Sequence, residues 1–405
     1  MQNINNAKLK RQLSLPLLVF YGIGTILGAG IYVLVGKVAG ASGFYTPVSF
    51  LLASLLAGFS AFSYAELASR YPRSAGEAIY IEEGFAIRHF SILVGLMIAA
   101  VGVVSTATLA HGFAGYFNVF FNIPPTLIVS VLVISVGLIC AWGIGQSVML
   151  AAIMTVVEIM GLLIILYVGR ESFALMPDVL PDMLPALEYP VWAGVLMGSF
   201  IAFYAYLGFE DIVNVAEEAV KPRINIPLAI IISLFVTTFF YILISVVAII
   251  LISPDELAES NAPLAMLYQK TTGQPPLVIT IISLISVING ALIQVIMASR
   301  VLYGMSRKNW LPETIGKINE TTHTPLVATA IVTAIVLLFA LFFPLLSLAK
   351  ITSYITLIIF MLINFALIKI KHSKGAHDGF TVPLLVPILG GASTLLFLSY
   401  LSFSL

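Results

Sequence analysis

The sequence predicts an all-α membrane protein built from two halves of five spans each, and three observations support this fold. The 405 residues are 60% hydrophobic and only 9% charged, whereas soluble globular domains carry about 25% charged residues. Apolar runs recur along the chain at lengths close to the roughly 20 residues that a helix needs to cross a bilayer. The first and sixth runs are interrupted by glycine and polar residues at matching positions in the two halves.

Hydropathy divides the chain into about eleven candidate spans joined by short links, which predicts one transmembrane domain over residues 1–405. Residues 1–168 are expected to form a first repeat, residues 191–368 a second repeat, and residues 369–405 an additional C-terminal helix. The predicted spans are 15–38, 46–67, 91–117, 125–143, 148–168, 191–216, 227–252, 277–303, 326–343, 346–368 and 383–403.

The distribution of Lys and Arg predicts the orientation. With the N-terminus in the cytoplasm, the outer segments contain only Lys37, Arg170 and Lys270, with Lys350 at a span edge. The inner segments then contain Lys8, Lys10, Arg11, Arg70, Arg73, Arg88, Lys221, Arg223, Arg300, Arg307, Lys308, Lys317, Lys369, Lys371 and Lys374. This excess follows the positive-inside rule and predicts an integral protein of the cytoplasmic (inner or plasma) membrane, with an outward C-terminus.

Composition and motifs argue against several classes of function. The net charge is zero and the basic residues are scattered, so we expect no nucleic acid partner. Cys140 is the single cysteine, and the five histidines lack the spacing of metal ligands on one helix. Motifs of hydrolases, metalloproteases and phosphate-binding loops are absent. We therefore expect no enzyme, no cofactor and no metal; the expected partners are the lipid bilayer and a small solute.

The two interrupted runs are the most informative part of the chain. Span 1 contains GTILGAGI at residues 24–31, and span 6 contains YAYLGFED at residues 204–211. A broken helix leaves backbone groups unpaired within the membrane, which is tolerated only where they line a cavity or bind a ligand. Paired breaks in two halves are typical of secondary transporters. The alternative is that these glycines only allow close packing of helices.

Three separate motifs resemble the amino acid–polyamine–organocation superfamily of permeases. The motifs are YGIGTILGAGIYVLVGKVAG with SYAELASRYPRSAGEAIYIEEGF within residues 21–85, FIAFYAYLGFEDIVNVAEEAVKPRINIPLAI at 200–230, and ASRVLYGMSRKNWLP at 298–312. The resemblance implies a LeuT-type fold, in which spans 1–5 and 6–10 are inverted repeats and spans 1 and 6 unwind around the substrate. It also implies secondary active transport of an amino acid by alternating access. Many members have twelve spans, so the chain is expected to lack the last one.

Backbone groups at the two breaks are the predicted binding site for the charged ends of an amino acid. The helix restart at Gly28, Ala29 and Gly30 offers free N–H groups and a positive dipole end to a carboxylate. The family motif implies the same positions. The predicted acceptors for the ammonium group are the carbonyls of Ile26, Tyr204, Ala205 and Leu207.

Side chains near the breaks predict the substrate class. Thr106, with Ser105 and Thr108, is the candidate for side-chain selectivity on span 3. Ile26, Phe203 and Tyr206 would add apolar faces, which favours a hydrophobic zwitterion. An acid from span 6 in the pocket would instead favour a cationic substrate.

Gating residues are predicted from aromatic and ionisable side chains. Tyr204 occupies the position at which relatives place an aromatic gate, and Tyr206 is the second candidate. Glu210 follows the span 6 break, where some relatives carry a proton-sensitive Glu. Asp211 lies about 100° further around a regular helix, so we expect it to face a different partner. Glu66 precedes Arg70 by four residues, and the pair is either a cytoplasmic gate element, with Arg73, or a solvated ion pair at a helix end.

Coupling depends on Glu158, because ionisable residues within spans are costly and indicate function. Some proton-coupled relatives carry Lys at this position. Glu158 is therefore predicted to carry a proton, to help bind a cation, or to hydrogen-bond span 1 or span 8. Ser299 is a single-hydroxyl candidate for a cation site. Proton symport is the favoured mechanism, and sodium symport and exchange of amino acids or polyamines remain the alternatives.

Overall fold

The computed structural model describes residues 9–28, 30–118, 120–260, 262–343, 345–375 and 377–404. Regular structure in these ranges is helical, apart from an isolated parallel bridge between Leu13 and Ala219. Short 3-10 helices lie at Gly43–Tyr45, Leu180–Met183 and Ala216–Glu218. The α-helices are α1 (Leu15–Leu27), α2 (Gly30–Ser42), α3 (Thr46–Arg70), α4 (Gly76–Phe85), α5 (Arg88–Phe117), α6 (Pro125–Trp142), α7 (Ile144–Val168), α8 (Ser172–Val179), α9 (Tyr189–Tyr204), α10 (Asp211–Asn214), α11 (Pro222–Leu251), α12 (Pro254–Glu259), α13 (Pro263–Thr272), α14 (Leu277–Arg307), α15 (Leu326–Phe342), α16 (Leu345–Lys374) and α17 (Leu385–Ser404).

Eight helical segments of the described chain are long and apolar enough to cross a membrane. Three further apolar helices, α9, α15 and the first part of α17, are shorter. All of them coincide with predicted spans, and the chain is an integral membrane protein. The division into two repeats and an additional helix stays a prediction.

Span 1 consists of two helices, as the sequence predicts. α1 ends at Leu27, and the Gly28 amide donates to the Gly24 carbonyl at 3.0 Å. Gly28 has φ +23°, a conformation that residues with a Cβ rarely adopt. α2 then begins at Gly30. Ala29, one of the residues predicted to bind the carboxylate, lies outside the described residues.

Span 6 is broken within the predicted residues 204–211, but the helix after the break is shorter than predicted. α9 ends at Tyr204, residues 205–210 form turns, and α10 contains only four residues. Gly208 has φ +125°, and a Cβ there would lie 2.6 Å from the Thr25 side chain and 2.9 Å from the Thr25 carbonyl carbon. Only glycine fits at this point, because the two breaks are in direct contact.

Neighbouring helices hold the two breaks together. α11 packs on α1 and α3, α14 on α5 and α7, and α2 on α9. From α11, the buried Tyr241 hydroxyl lies 2.7 Å from the Ile26 carbonyl and 2.9 Å from the Ala205 carbonyl. A hydroxyl has one proton, so the two carbonyls share it. Tyr241 therefore links one break to the other.

Four short helices lie in segments that the sequence analysis treats as links. α4 connects α3 to α5, α8 follows α7, and α12 and α13 precede α14. Each contains ten residues or fewer. Hydropathy windows of about 19 residues do not detect helices of this length.

Candidate functional site: a cavity between the two breaks

A cavity of about 270 Å³ lies between the two breaks. This volume is near the lower end of the ~300–1,000 Å³ that is usual for small-molecule pockets. The cavity therefore suits one small solute. Its walls are formed by Thr25, Ile26, Gly28, Gly30, Leu34, Val101, Ser105, Thr108, Leu109, Tyr204, Leu207, Gly208, Glu210, Gly290, Gln294, Thr352 and Thr356.

Six of the residues singled out at the two breaks line this cavity. They are Ile26, Gly28, Gly30, Tyr204, Leu207 and Glu210. A Cβ on Gly30 would lie 3.2 Å from the Tyr241 hydroxyl and 3.3 Å from the Ala205 Cα. The absence of a side chain at Gly30 therefore lets the start of α2 pack closely against the span 6 break.

Thr106 does not line the cavity, contrary to the sequence expectation. It is buried, and its hydroxyl donates to the Gly102 carbonyl at 2.7 Å. Ser105 and Thr108 line the cavity instead, together with Val101 and Leu109. Ser105, Thr108 and Leu109 follow Val101 by four, seven and eight residues and therefore share its helix face. Thr106 lies about 100° around the helix from Ser105.

Ala205, Tyr206 and Phe203 are also absent from the cavity wall. The Ala205 carbonyl accepts from Tyr241, as the Ile26 carbonyl also does. The Tyr206 hydroxyl donates to the Phe50 carbonyl at 3.1 Å, which holds the buried ring away from the cavity. Phe203 stacks on Phe397 instead. Tyr204 is therefore the aromatic residue of the break that lines the cavity.

Ser299 does not form the cation site suggested by its hydroxyl. The hydroxyl donates to the Ile296 carbonyl at 2.8 Å and accepts from the Arg300 guanidinium at 3.0 Å. A fixed positive group at hydrogen-bond distance repels a second cation. Among the described residues, no cluster of His, Cys, Asp and Glu could hold a metal ion.

Glu158 lies outside the cavity, in a buried polar cluster behind the span 1 break. Its Oε1 accepts from the Asn289 side-chain amide at 2.7 Å, so it contacts span 8. The same amide nitrogen donates to Thr155 at 2.9 Å, and Ser286 donates to the Gly28 carbonyl. Glu158 Oε2 and Asn289 Oδ1 are buried and have no hydrogen-bond partner among the described residues.

Glu210 and Asp211 line one shared cavity but accept hydrogen bonds from different groups, as the sequence predicts. Both line a second cavity of about 10 Å³, together with Glu77 of α4. The angle of about 100° holds only within a regular helix, whereas α10 begins at Asp211 and Glu210 lies in the preceding turns. Glu210 accepts from the Gly208 amide at 2.8 Å, and Asp211 accepts from Gln294 at 2.7 Å.

Glu66 forms a buried network rather than a solvated ion pair. It lies 2.7 Å from Arg70 and 2.7 Å from Lys371 of α16. Its second oxygen also accepts from the Val382 amide at 2.7 Å, just before α17. Arg73 lies on the wall of a separate pocket with Arg11 and Glu217. Glu66 thus joins α3 to α16 and to the segment that leads into α17.

A second buried ion pair was not predicted from the sequence. Arg300 of α14 and Glu218 are both fully buried, with a closest N–O distance of 3.1 Å. The Glu218 carbonyl accepts from the amides of Gln12 and Leu13 at 2.9 and 3.0 Å. Glu218 and Arg300 both belong to motifs quoted from the sequence, EEA and ASR. Nothing in either motif indicates that the two side chains form an ion pair. The Glu218–Arg300 pair and these hydrogen bonds therefore join the N-terminal segment, the end of span 6 and α14.

Comparison with known proteins agrees with this architecture. Residues 13–404 match the family described as amino acid permease. The chain belongs to the amino acid permease family. The members of this family that it resembles are transporters rather than enzymes.

Two relatives and one solved structure illustrate the similarity. "Cationic amino acid transporter 3, mitochondrial" of Arabidopsis thaliana is 28% identical over 95% of this chain and 69% of its own length. "Branched-chain amino acid permease BcaP" of Bacillus subtilis (strain 168) is 28% identical over 96% of this chain and 86% of its own length. The crystal structure of MhsT in complex with L-phenylalanine superimposes with a TM-score of 0.66 over 98% of this chain and 99% of that chain, at 15% identity. This structural likeness establishes the LeuT-type fold.

Proposed function

We propose that this permease is a secondary active transporter that carries one amino acid with a proton by alternating access. The observation that carries the proposal is the cavity bounded by both helix breaks and by Tyr204. In the proposed topology, the N-terminus is cytoplasmic and the protein resides in the cytoplasmic membrane. Residues 1–168 and 191–368 form the two repeats, and residues 369–405 add a helix.

The charged ends of the substrate bind to the breaks. A carboxylate placed at the start of α2, next to Gly28 and Gly30, meets the N-terminal end of a helix. An ammonium group is received by carbonyls of Ile26, Tyr204 and Leu207, which all belong to residues on the cavity wall. Because these are backbone contacts, they select amino acids without selecting a side chain.

The rest of the wall selects a small apolar side chain. Leu34, Val101 and Leu109 provide apolar surface, and Ser105 and Thr108 add hydroxyl groups. This surface suits the branched-chain amino acids for which the Bacillus subtilis relative is named. A cationic substrate is the second candidate, because Glu210 contributes a carboxyl group to the same wall.

Glu158 is the residue that we propose carries the coupled proton. Its Oε1 already accepts from Asn289, while Glu158 Oε2 and Asn289 Oδ1 lack partners among the described residues. A proton on Oε2 would allow a second hydrogen bond to Oδ1 and would complete an acid–amide pair. An ionised Glu158 would be a buried charge without a cation, which costs several kcal/mol. The unpaired oxygens therefore favour a neutral, proton-carrying Glu158.

Uptake into proteoliposomes tests the function. The labelled panel contains leucine, isoleucine, phenylalanine, alanine, arginine and lysine. We expect vesicles with an alkaline interior and no sodium to accumulate its apolar members. Accumulation of arginine or lysine alone would favour the cationic alternative. Uptake that requires sodium, or amino acid loaded inside, would replace proton symport by sodium symport or by exchange. Absence of uptake and exchange for all of them would overturn the proposal.

Glu158→Gln tests the coupling step. The amide keeps the size of the side chain but binds no proton, so we expect exchange of labelled for unlabelled substrate to persist while pH-driven accumulation is lost. Glu188→Gln, at an exposed position before α9, is the matched control and should accumulate normally. Unchanged pH-driven accumulation in Glu158→Gln would assign Glu158 a structural role.

A further inference from the structure

A second, much smaller cavity adjoins the wall of the substrate cavity. Its volume is about 10 Å³, which is room for roughly one water molecule and too little for an amine or a side chain. Val101, Glu210 and Thr356 line both cavities. The small cavity therefore begins at Glu210, on the substrate cavity, and ends at Glu77 of α4.

Three carboxyl groups face this small cavity, and no cation does. Its wall contains Glu77, Glu210 and Asp211, and none of the described residues that line it is Lys, Arg or His. Like charges in a site of low dielectric constant cannot all ionise, so at least one of the three retains a proton at neutral pH. Asp211 is already hydrogen-bonded to Gln294, and Glu210 to the Gly208 amide.

Unpaired polar atoms indicate that the small cavity holds a water molecule. Tyr64 of α3 is fully buried and lines the cavity, but its hydroxyl has no hydrogen-bond partner among the described residues. Glu77 Oε2, also buried, is unpaired as well. Buried polar groups of native proteins nearly always find a partner, and an ordered water is the usual one where protein atoms are absent. One water in contact with the two groups would satisfy both.

We propose that Glu77 is the inner end of a proton relay that starts at Glu210 and crosses the small cavity through this water. Once Glu77 has released its own proton, protonated Glu210 gives its proton to the water, and the water gives one of its own protons to the Glu77 carboxylate. Glu210 is left ionised, Glu77 becomes neutral, and the water is regenerated. The relay presupposes the proton-coupled transport proposed above and gives a proton on Glu210, separate from the one on Glu158, a route to the α4 side of the membrane.

The surroundings of Glu77 suit the end of a relay. It lies in the first turn of α4, a helix outside the spanning segments, and the side chains facing it are Tyr64, Tyr80, Glu210, Asp211 and Asn214. Burial raises the pKa of Glu77 to about 8, against the opposing effect of its own amide and of Asn214. The neighbouring Gly76 amide donates to Asn214 at 3.1 Å. This hydrogen bond links α10 to α4 beside Glu77.

Infrared spectroscopy of the purified permease tests the site without any substrate. We expect a carbonyl stretch of protonated carboxyl at neutral pH that diminishes near pH 8, is reduced in Glu77→Gln and is unchanged in Glu82→Gln. Glu82 lies on the same helix, partly exposed and 2.6 Å from Lys308, and is the matched control. Tyr64→Phe keeps the ring, removes one partner of the water, and should move the loss of the band to higher pH. Identical protonated-carboxyl bands in the wild type and Glu77→Gln, with no effect of Tyr64→Phe, would overturn the proposal.

A transport measurement separates the relay from the function on which it depends. In vesicles, we expect Glu77→Gln to lose pH-driven accumulation of labelled leucine while leucine exchange persists, and Glu82→Gln to retain both. Normal pH-driven accumulation in Glu77→Gln would reject the relay but leave proton symport standing. If the wild type shows no pH-driven uptake of any amino acid, proton symport fails, and with it the relay. The infrared bands then still report whether Glu77 holds a proton.

Discussion

Gly30 provides the sharpest single-residue test of the proposed site. A Cβ at Gly30 already lies within 3.3 Å of the Ala205 Cα, so the side chain of Gly30→Leu must extend into the cavity or displace a neighbour. Overpacking of this kind costs about 1–3 kcal/mol, which corresponds to roughly 5- to 150-fold weaker binding. Binding of the transported amino acid by scintillation proximity measures the loss. Gly112→Leu is the control, since no atom lies within 4 Å of a Cβ at Gly112, and equal affinities in the two variants would remove the carboxylate site from α2.

At the residue scale, backbone motifs were easier to predict from sequence than side-chain directions. Gly28, Gly30 and Leu207 line the cavity because a break must expose backbone wherever it occurs. Thr106 and Tyr206 were misplaced because their direction depends on the phase of a helix and on where an unwound segment turns. Glu77 was missed because it lies in a link, and only packing of α4 against α10 brings it to Asp211.

At the element scale, the Glu218–Arg300 pair is predicted to hold the N-terminal segment, the end of span 6 and α14 together. Both side chains are fully buried, and removing one partner of such a pair leaves an unpaired charge at a cost of about 3–5 kcal/mol. We expect Arg300→Met to lower the thermal stability strongly in detergent. The double variant Arg300→Met with Glu218→Leu should recover much of it, because two apolar side chains replace the two charges. A double variant no more stable than Arg300→Met alone would mean that the two charges are not coupled in their effect on stability.

Elements were predictable in proportion to their length and hydropathy. The long spans coincide with α3, α5, α6, α7, α11, α14 and α16 because each carries a full apolar run. α10 was predicted too long, since residues 211–216 are apolar enough to extend a helix but the chain leaves it after Asn214. The bridge between Leu13 and Ala219 joins segments far apart in the chain, and local patterns carry no information about such a contact.

At the scale of the whole molecule, Glu77 should make stability depend on pH. Its pKa rises by burial to about 8 in the folded protein, against about 4.3 in an unfolded chain. The folded state therefore binds the extra proton, so stability is full below about pH 4 and falls as the pH rises toward 8. The shift corresponds to roughly 5 kcal/mol at alkaline pH, at about 1.4 kcal/mol per pH unit. Thermal unfolding in detergent between about pH 5 and pH 9 should show Glu77→Gln losing less stability than the wild type, with Glu82→Gln following the wild type. Parallel curves for the wild type and Glu77→Gln would show that ionisation of Glu77 does not lower the free energy of unfolding. The small cavity would then be open to solvent or to a counter-charge.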